Sequence, residues 1–351
     1  MTVKMSFDSA PQVRISQTEQ GFVLQNERNT MVSGFLKGKS VVFAQTLLTS
    51  LMGLCPVAHR EAFEATVIGH ASCQSSLRVA TEAMLESVRV FCVDWQRFVP
   101  TVNIREETLQ TLGQLRQRLF DVLANRNETQ TERLFVDTQR FVREFQITYA
   151  ELLDALRKAV KPFTILTPIK TTTLLTPSQW RAHGFLDEIL QALVQNRDFA
   201  VCPTYQGCRL PGTFARASDA GYLSETLTPD AMILMRWQEL TSWSREDRMG
   251  LSLFEPSVSE LNDGWRLATV ETLRGTLLHA VRSNGAIVDD IHIVAPTEWA
   301  FQSQGPLVDA VNEFAIKSGL QGQALSTEVR LLVALFDACT DVLVTVGGTH
   351  A

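Results

Sequence analysis

Residues 77–95 have the sequence LRVATEAMLESVRVFCVDW, in which apolar side chains recur at steps of three and four residues. The members of this stripe are Leu77, Ala80, Met84, Val88, Phe91 and Trp95. Such steps bring side chains onto one face of an α-helix, so the stripe predicts an amphipathic helix that ends before Pro100. A face this apolar has to pack against other elements, and we therefore predict that it forms part of the core of a helical bundle.

The flanking sequence extends this bundle. A second stripe consists of Leu109, Leu112, Leu119 and Val122, and residues 134–160 predict a third long helix that is stopped by Pro162. Cys73 and Cys92 fall in helical stretches and are predicted to be packing residues. Further helices are predicted near residues 178–196, 231–243 and 325–336.

The pattern changes after residue 264. Residues 266–293 are rich in Val, Ile, Leu and Thr, and Asn284-Gly285 lies between the runs 277–282 and 287–294. Asn-Gly between such runs is a strong signal for a β-hairpin. The sequence therefore predicts an α+β, mainly α fold with a small antiparallel β region near residues 265–295.

We expect one domain over residues 1–351. Its predicted parts are an N-terminal arm or small sheet (1–38), a helical bundle (39–160), a loop-rich middle (161–264) and a β-hairpin with a C-terminal helix (265–351).

The composition excludes several classes of protein. The chain has 351 residues, of which 45% are hydrophobic and 20% are charged, as in an ordinary globular protein and unlike a disordered or disulfide-stapled chain. Its 32 basic and 38 acidic residues give a formal charge of −6, which argues against nucleic acid as a partner. The longest uncharged stretch, 40–59, contains polar residues and Pro56, so we expect a cytoplasmic protein without membrane insertion and with reduced cysteines.

The first chemical candidate is Cys55, which is followed by Pro56 and, four residues on, by His59. Proline is favoured at the first helical position, so Cys55 is predicted at a helix N-cap, where the dipole and free amides stabilise a thiolate. In a helical turn His59 shares a face with Cys55 and could donate a hydrogen bond to its sulfur. On spacing alone, a buried, inert cysteine beside a satisfied histidine is the favoured interpretation.

Two further candidates flank the predicted hairpin, Arg274 just before it and Thr297 just after it. A hairpin returns the chain, so these two donors can approach each other, an arrangement that suits a small anionic ligand. Considered separately they are equally typical of a surface arginine and a helix-capping threonine. Cys339, at the end of the last apolar helix, is by itself more typical of a core residue.

Together these segments resemble the large subunit of nickel–iron hydrogenases, in the family's order. SLMGLCPVAH (50–59) is similar to the family's Arg-x-Cys-Gly-x-Cys-Pro-x-x-His, and ETLRGTLLH (271–279) to its Glu-Ala-Pro-Arg-Gly-x-Leu-x-His. APTEW (295–299) is similar to Val-Pro-Ser/Thr-Thr-Trp, and DACTDV (337–342) to Asp-Pro-Cys-x-x-Cys. Four ordered matches across most of the chain are far more specific than any single one.

The departures from the family pattern bear on function. In the hydrogenases four cysteines hold the nickel–iron centre, whereas here Met52 and Val342 occupy two of those positions and only Cys55 and Cys339 remain. Aligned by eye, Ser33 stands where the family has the glutamate that carries protons from the metal. The resemblance thus implies that this chain cannot build a complete nickel–iron centre.

What remains belongs to the iron side of that centre. Soft thiolates suit low-spin iron that carries cyanide and carbon monoxide, and Arg274 and Thr297 match the family's residues that hydrogen-bond the cyanides. This pattern is similar to hydrogenase expression/formation proteins of the HupK/HoxV type. The resemblance implies a non-enzymatic maturation scaffold that holds an iron–cyanide–carbonyl fragment through Cys55 and Cys339, with His59, Arg274 and Thr297 around it. The implied partners are the maturation proteins that build the fragment and the apo large subunit that receives it.

Two other interpretations stay open. One is a metal-free structural relative, comparable to the quinone-proximal subunit of respiratory complex I, against which the retention of Cys55 and Cys339 argues. The other is an enzyme with Cys55 as nucleophile and His59 as base, for which the sequence offers no third, orienting group.

Overall fold

The structure is a computed structural model. The structure describes residues 13–26, 31–170, 173–182, 184–205, 210–222, 226–245, 250–338, 340 and 342–347.

The helices of this part of the chain are α1 Met31–Leu36, α2 Val41–Leu51, α3 Pro56–Ile68, α4 Ser75–Arg89, α5 Glu106–Asn125, α6 Glu128–Thr148, α7 Ala150–Ala159, α8 Pro177–Trp180, α9 Phe185–Gln195, α10 Thr213–Asp219, α11 Pro229–Trp243, α12 Pro296–Ala300, α13 Pro306–Ser318 and α14 Gly322–Leu335. The strands are β1 Val13–Thr18, β2 Gly21–Asn26, β3 Ile169–Lys170, β4 Thr226–Leu227, β5 Ser257–Glu260, β6 Trp265–Thr272, β7 Gly275–Ser283, β8 Val288–Val294 and β9 Val342–Thr345. The structure confirms the predicted mainly α, α+β fold.

Helix α4 lies inside the helical bundle and contacts α3, α5, α6 and α11. All six members of the predicted stripe are buried, including Trp95 in the π-helical turn Val90–Trp95 that continues α4. The indole N–H of Trp95 donates to the carbonyl of Ala334 at 3.0 Å, which fixes α14 against this turn. The stripe therefore has the core position predicted from its spacing.

The second predicted stripe is wrong at Leu109, which is 40% exposed. The buried face of α5 instead consists of Leu112, Leu115, Leu119, Val122 and Leu123. Leu109 lies in the first turn of α5. Cys92 is buried as predicted, whereas Cys73 lies in an exposed turn before α4, so that prediction is wrong.

Two predicted helices are each interrupted. Residues 134–160 form most of α6 and all of α7, which are separated at Tyr149. The backbone of Tyr149 leaves helical geometry, its ring is buried, and its hydroxyl accepts the Arg105 N–H at 3.0 Å. Residues 178–196 form the end of α8 and α9, with Gly184 at φ +83° before α9. Helix α13 was not among the predicted helices.

The predicted hairpin is present as β7 and β8, and Asn284 Oδ1 accepts the Ile287 N–H at 3.0 Å in its turn. It belongs to a larger antiparallel sheet, in the order β5-β6-β7-β8, and Leu273-Arg274 forms a second turn between β6 and β7. Both β6 and β7 are buried along most of their length and α3 packs against them, so neither shows the alternation that identifies a half-exposed strand. The predicted β region near residues 265–295 nevertheless includes both strands, although the first run of the predicted hairpin began only at residue 277.

A second sheet joins the two ends of the described chain, with β1 between β2 and β9. Strand β9 pairs with β1 in parallel, Val342 opposite Val13, and so brings the segment after α14 back to the N-terminal strands. Within the described residues, no helix is both long enough and apolar enough to cross a lipid bilayer.

Candidate functional site

A cavity of about 320 Å³ lies where the predicted motif segments converge. Its wall includes Ser33 of α1, Met52 to Cys55 before α3, Arg274 of the β6–β7 turn, Pro296 of α12 and Thr340 after α14. These segments are far apart in sequence, so tertiary structure alone brings them to one place. We call this space the motif cavity.

Cys55 is the N-cap of α3 and Pro56 is the first helical residue, as predicted. The prediction that free amides of the helix face the sulfur is wrong. The side-chain carboxyl group of Glu82, from α4, accepts the backbone N–H groups of Val57 at 2.8 Å and Ala58 at 2.9 Å through its two oxygens. A side chain of another helix thus caps α3, and burial raises the pKa of Glu82 to about 8.

Arg274 is the charged group beside this cysteine. Its Nη1 lies 3.7 Å from Cys55 Sγ, and the residue is only 5% exposed. A guanidinium at this distance stabilises negative charge on the sulfur or on a ligand bound to it, and because Arg274 is buried, water screens this interaction less than at the surface.

Arg216 of α10 holds the turn that carries Arg274 through hydrogen bonds to the backbone of that turn. This buried guanidinium donates to the carbonyl of Thr272 at 2.7 Å and of Leu273 at 2.9 Å, and it pairs with the carboxylates of Glu239 and Glu271. The two carboxylates raise the pKa of Arg216 despite its burial, so its charge is permanent. The position of Arg274 is therefore set by backbone contacts that do not depend on a ligand.

Two glycines allow this close packing. A Cβ at Gly212, which has φ +95°, would lie 2.9 Å from the Arg274 carbonyl oxygen. A Cβ at Gly275, which has φ +123°, would lie 2.6 Å from Pro211 Cβ and 2.7 Å from the Gly212 nitrogen. The turn thus needs glycine at both positions, for space as well as for conformation.

Carboxylates balance the buried positive charge on the other side of Arg274. Its Nη2 lies 3.2 Å from Asp337 Oδ1 and 3.7 Å from Glu86 Oε2. Asp337 also accepts from Arg236 at 2.7 Å, while Glu86 pairs with Arg89 at 2.9 Å. Burial lowers the pKa of Arg236, and Asp337 opposes that effect.

His59 lines the motif cavity and is part of a buried histidine pair. Its Nδ1 lies 2.9 Å from Nε2 of His279, on β7, so one ring donates to the other. Burial and the neighbouring His59 hold the pKa of His279 well below its usual value, which keeps His279 neutral. Cys55 and His59 both line the motif cavity, and His59 connects this cavity to a second histidine across the contact between α3 and β7.

Thr297 and Cys339 are the other two predicted site residues. Thr297 is buried in the first turn of α12, between Pro296 and Glu298, which both line the motif cavity. Cys339 lies outside the described residues. Thr340, next to it, lines the motif cavity together with Cys55.

Several residues of this site were not predicted. Glu82 and Glu86 are acidic residues inside the apolar stretch 77–95, and Asp337 and His279 lie inside the quoted motifs. The sequence signal that could have identified the two glutamates is the presence of acidic residues inside an otherwise apolar helix. Within the described part of the chain, which does not include Cys339, no group of three or more His, Cys, Asp or Glu side chains is arranged to hold a metal ion.

Comparison with known proteins finds similarity to hydrogenase-related proteins both in sequence and in fold. The chain is 31% identical over 178 residues to the hydrogenase expression/formation protein HupK of Bradyrhizobium diazoefficiens, a match that covers 47% of each protein. The matched region thus spans about half the length of this curated relative. No family model matches the chain.

The fold is similar to that of solved hydrogenase chains. The NAD+-reducing [NiFe]-hydrogenase in the H2-reduced state superposes with a TM-score of 0.58 at 12% identity, covering 91% of this chain and 92% of that one. The Ni-Fe-Se hydrogenase of Desulfomicrobium baculatum superposes with a TM-score of 0.59 at 13% identity, covering 91% and 93%. At these identities the likeness concerns the fold.

Proposed function

We propose that the chain is a degenerate relative of the nickel–iron hydrogenase large subunit and a non-enzymatic accessory protein of hydrogenase formation. The fold it shares with solved hydrogenase chains and its sequence similarity to HupK support this proposal. The protein's cargo is an iron–cyanide–carbonyl fragment, bound transiently in the motif cavity by the thiolates of Cys55 and Cys339. The fragment is then transferred to the apo large subunit.

The observation that carries this proposal is the placement of Cys55 and Arg274 on one cavity wall, 3.7 Å apart. The two residues are 219 positions apart in the sequence. Arg274 is held there by its own ion pairs and by the Arg216-bound turn, so the donor is in place before any cargo arrives. A prepositioned donor avoids the cost of ordering a long side chain on binding.

The chemistry of the cavity wall suits the two kinds of ligand on such an iron. Cyanide nitrogen accepts hydrogen bonds, and a charged donor such as Arg274 contributes about 1.5–3 kcal/mol per bond. Carbon monoxide accepts hydrogen bonds weakly, and the apolar residues Leu277, Ile293 and Ala295 line the same cavity. A thiolate beside a guanidinium and an apolar wall can thus hold both ligand types in one orientation.

The partners follow from this role. Maturation proteins that build the iron fragment deliver it, and the apo large subunit accepts it. We place the protein in the cytoplasm, where such assembly takes place under reducing conditions.

The test is anaerobic isolation of the protein from cells with a complete maturation system, followed by iron analysis and infrared spectroscopy. We expect substoichiometric iron and absorption bands of bound cyanide and carbon monoxide. Cys55→Ala and Cys339→Ala should each abolish the bands. Cys73→Ala is the matched control, because Cys73 is exposed and its thiol contacts Glu128 outside the motif cavity.

Two outcomes would contradict the proposal. Bands that persist in both cysteine variants would show that the iron fragment is bound elsewhere. Wild-type protein without bands, from cells that make active hydrogenase, would support a metal-free relative instead.

A further inference from the structure

Helix α2 exposes an apolar surface close to the motif cavity. Val42 is 74% exposed and Phe43 is 50% exposed, in consecutive positions of the first turn. Ile287, which is also exposed, borders this turn because Ser40, the N-cap of α2, forms a β-bridge with it. We call the exposed residues of α2 the α2 face: Val42, Phe43, Thr46 and Ser50.

The polar groups of the α2 face are satisfied within the helix itself. The Thr46 hydroxyl donates to the Val42 carbonyl at 3.1 Å, and the Ser50 hydroxyl donates to the Thr46 carbonyl at 3.1 Å. Residues 40–59 also contain no charged side chain. A surface without charge, whose hydroxyl donors already bind its own backbone, loses little when it leaves water. The α2 face is therefore suited to burial against an apolar surface.

Exposed apolar residues that stand singly are ordinary in soluble proteins. Ile147 of α6 is such a case: it is 80% exposed, but the charged residues Arg143 and Glu144 lie one turn before it. The α2 face differs from this residue because its apolar members are consecutive and its helix is uncharged.

The α2 face leads to the motif cavity. Val42, Thr46 and Ser50 follow one another at steps of four residues, so they form a line along one side of the helix. Gly53, three residues after Ser50, is exposed and lines the motif cavity, as does Leu51 in the last turn of α2. A protein that packs on this end of the α2 face therefore lies next to the cavity wall that contains Cys55.

The size of the α2 face indicates a transient contact. An α-helix of 11 residues is about 16 Å long and about 10 Å wide, which gives a footprint of roughly 160 Å². Each partner of a stable complex buries about 800 Å², so this face is too small to hold a permanent partner or a stable dimer of this chain. Helices that lie on membranes carry lysine and arginine beside their apolar side, and α2 carries neither.

We propose that the α2 face docks the protein that accepts the iron fragment, and that this acceptor presents an apolar, uncharged groove to it. The proposal rests on the function proposed above, in which the acceptor has to reach the motif cavity and then leave. A small apolar contact beside the cavity meets both needs, because it buries Val42 and Phe43 without ion pairs and dissociates readily. Such a contact is a helix-in-groove interaction.

The experiment measures binding of the purified apo hydrogenase large subunit to the metal-free protein by biolayer interferometry. Iron is absent, so the result does not depend on cargo. We expect an affinity that hardly changes between about 0.1 M and about 1 M salt, although the Debye length falls from about 10 Å to about 3 Å, because the contact contains no ion pair. We also expect slower hydrogen–deuterium exchange in residues 41–51 of the complex.

The double variant Val42→Glu/Phe43→Glu tests the α2 face without disturbing the helix. Glutamate in the first turn interacts favourably with the helix dipole, and at position 43 it completes a Ser-x-x-Glu capping box with Ser40. We expect about tenfold weaker binding of the apo large subunit, because two charges would be buried in an apolar contact. Ile147→Glu is the matched control and should bind like the wild type, since Ile147 is similarly exposed but lies outside the α2 face.

Infrared spectra of protein from cells with a complete maturation system separate docking from cargo binding. The bands of cyanide and carbon monoxide should persist in the double variant, because Cys55 and Arg274 are unchanged. About tenfold weaker binding of the variant would support docking even if wild-type protein shows no bands, so failure of cargo binding and failure of docking are separate results.

Several outcomes would overturn the docking proposal. Equal binding of the wild type and the double variant would do so, as would wild-type protein that does not bind the apo large subunit. A dimer in analytical ultracentrifugation that the double variant abolishes would assign the α2 face to a second copy of the chain. Binding to phosphatidylglycerol vesicles that the double variant abolishes would assign it to a membrane.

Discussion

The replacement Asp337→Asn provides a strong test of the charge arrangement behind the motif cavity. Asp337 is 7% exposed and accepts from Arg236 at 2.7 Å and from Arg274 at 3.2 Å. Asparagine keeps the shape of the side chain but removes the negative charge, so two buried guanidinium groups lose a counter-ion they share.

The magnitude follows from the burial of the groups. Removal of one partner from a buried ion pair costs about 3–5 kcal/mol, because the remaining charge stays buried without compensation. Arg274 keeps Glu86 at 3.7 Å, which reduces the loss, so we expect about 3 kcal/mol of lost unfolding free energy. This corresponds to a change of about 150-fold in the unfolding equilibrium.

The assay is urea unfolding at neutral pH, followed by circular dichroism, with comparison of midpoints at an unchanged slope. The matched control is Asp290→Asn, whose partner Lys37 lies 3.1 Å away in an exposed pair, and which should cost less than about 1 kcal/mol. If Asp337→Asn costs no more than Asp290→Asn, the reasoning about a buried charge network is wrong.

Two further predictions concern the elements that position the site. Gly275→Ala places a methyl group 2.7 Å from the Gly212 nitrogen at φ +123°, so it should lower the thermal midpoint and the iron content together. Gly113→Ala, in the open middle of α5, should instead stabilise the protein by about 0.5–1 kcal/mol, and equal thermal midpoints for the two variants would contradict this account. Glu82 has a pKa of about 8 in the folded protein and an ordinary value near 4.5 when unfolded, so the folded state binds more protons between these values. Its contribution to the free energy of unfolding should therefore fall as the pH rises from about 5 to 8, by at most ~1.4 kcal/mol per pH unit, and Glu82→Gln should remove this slope in urea unfolding. An unchanged slope in Glu82→Gln would assign the pH dependence to other groups.

The regular helices were predictable because their apolar residues recur at helical spacing, and this holds even for α4, which is buried on nearly all sides. The stripe along α4 and the Asn-Gly hairpin turn express local rules, the helical period and turn chemistry, and both have the predicted form. Prediction failed where the tertiary environment overrides the local pattern. The predicted helix 134–160 is interrupted at Tyr149, whose backbone leaves helical geometry and whose ring is buried.

The same division applies to the candidate site. Cys55, His59, Arg274 and Thr297 were identifiable as residue types in ordered motifs, and the helix N-cap at Cys55 followed from Pro56. Two contacts of the site could not be predicted from spacing: the contact between Arg274 and Cys55, and the hydrogen bonds from the backbone amides of α3 to Glu82. Each of these contacts joins segments from different parts of the chain.

The sequence by itself determined the fold class, the α4 core stripe, the hairpin and the set of chemical groups, because periodicity, turn residues and motif composition are local properties. Only the tertiary structure decided which groups meet: Arg274 with Cys55 and Asp337, His59 with His279, and β9 with β1. The physical reason is that these contacts join residues separated by up to several hundred positions. Their geometry depends on how whole helices and sheets pack, which no local pattern encodes.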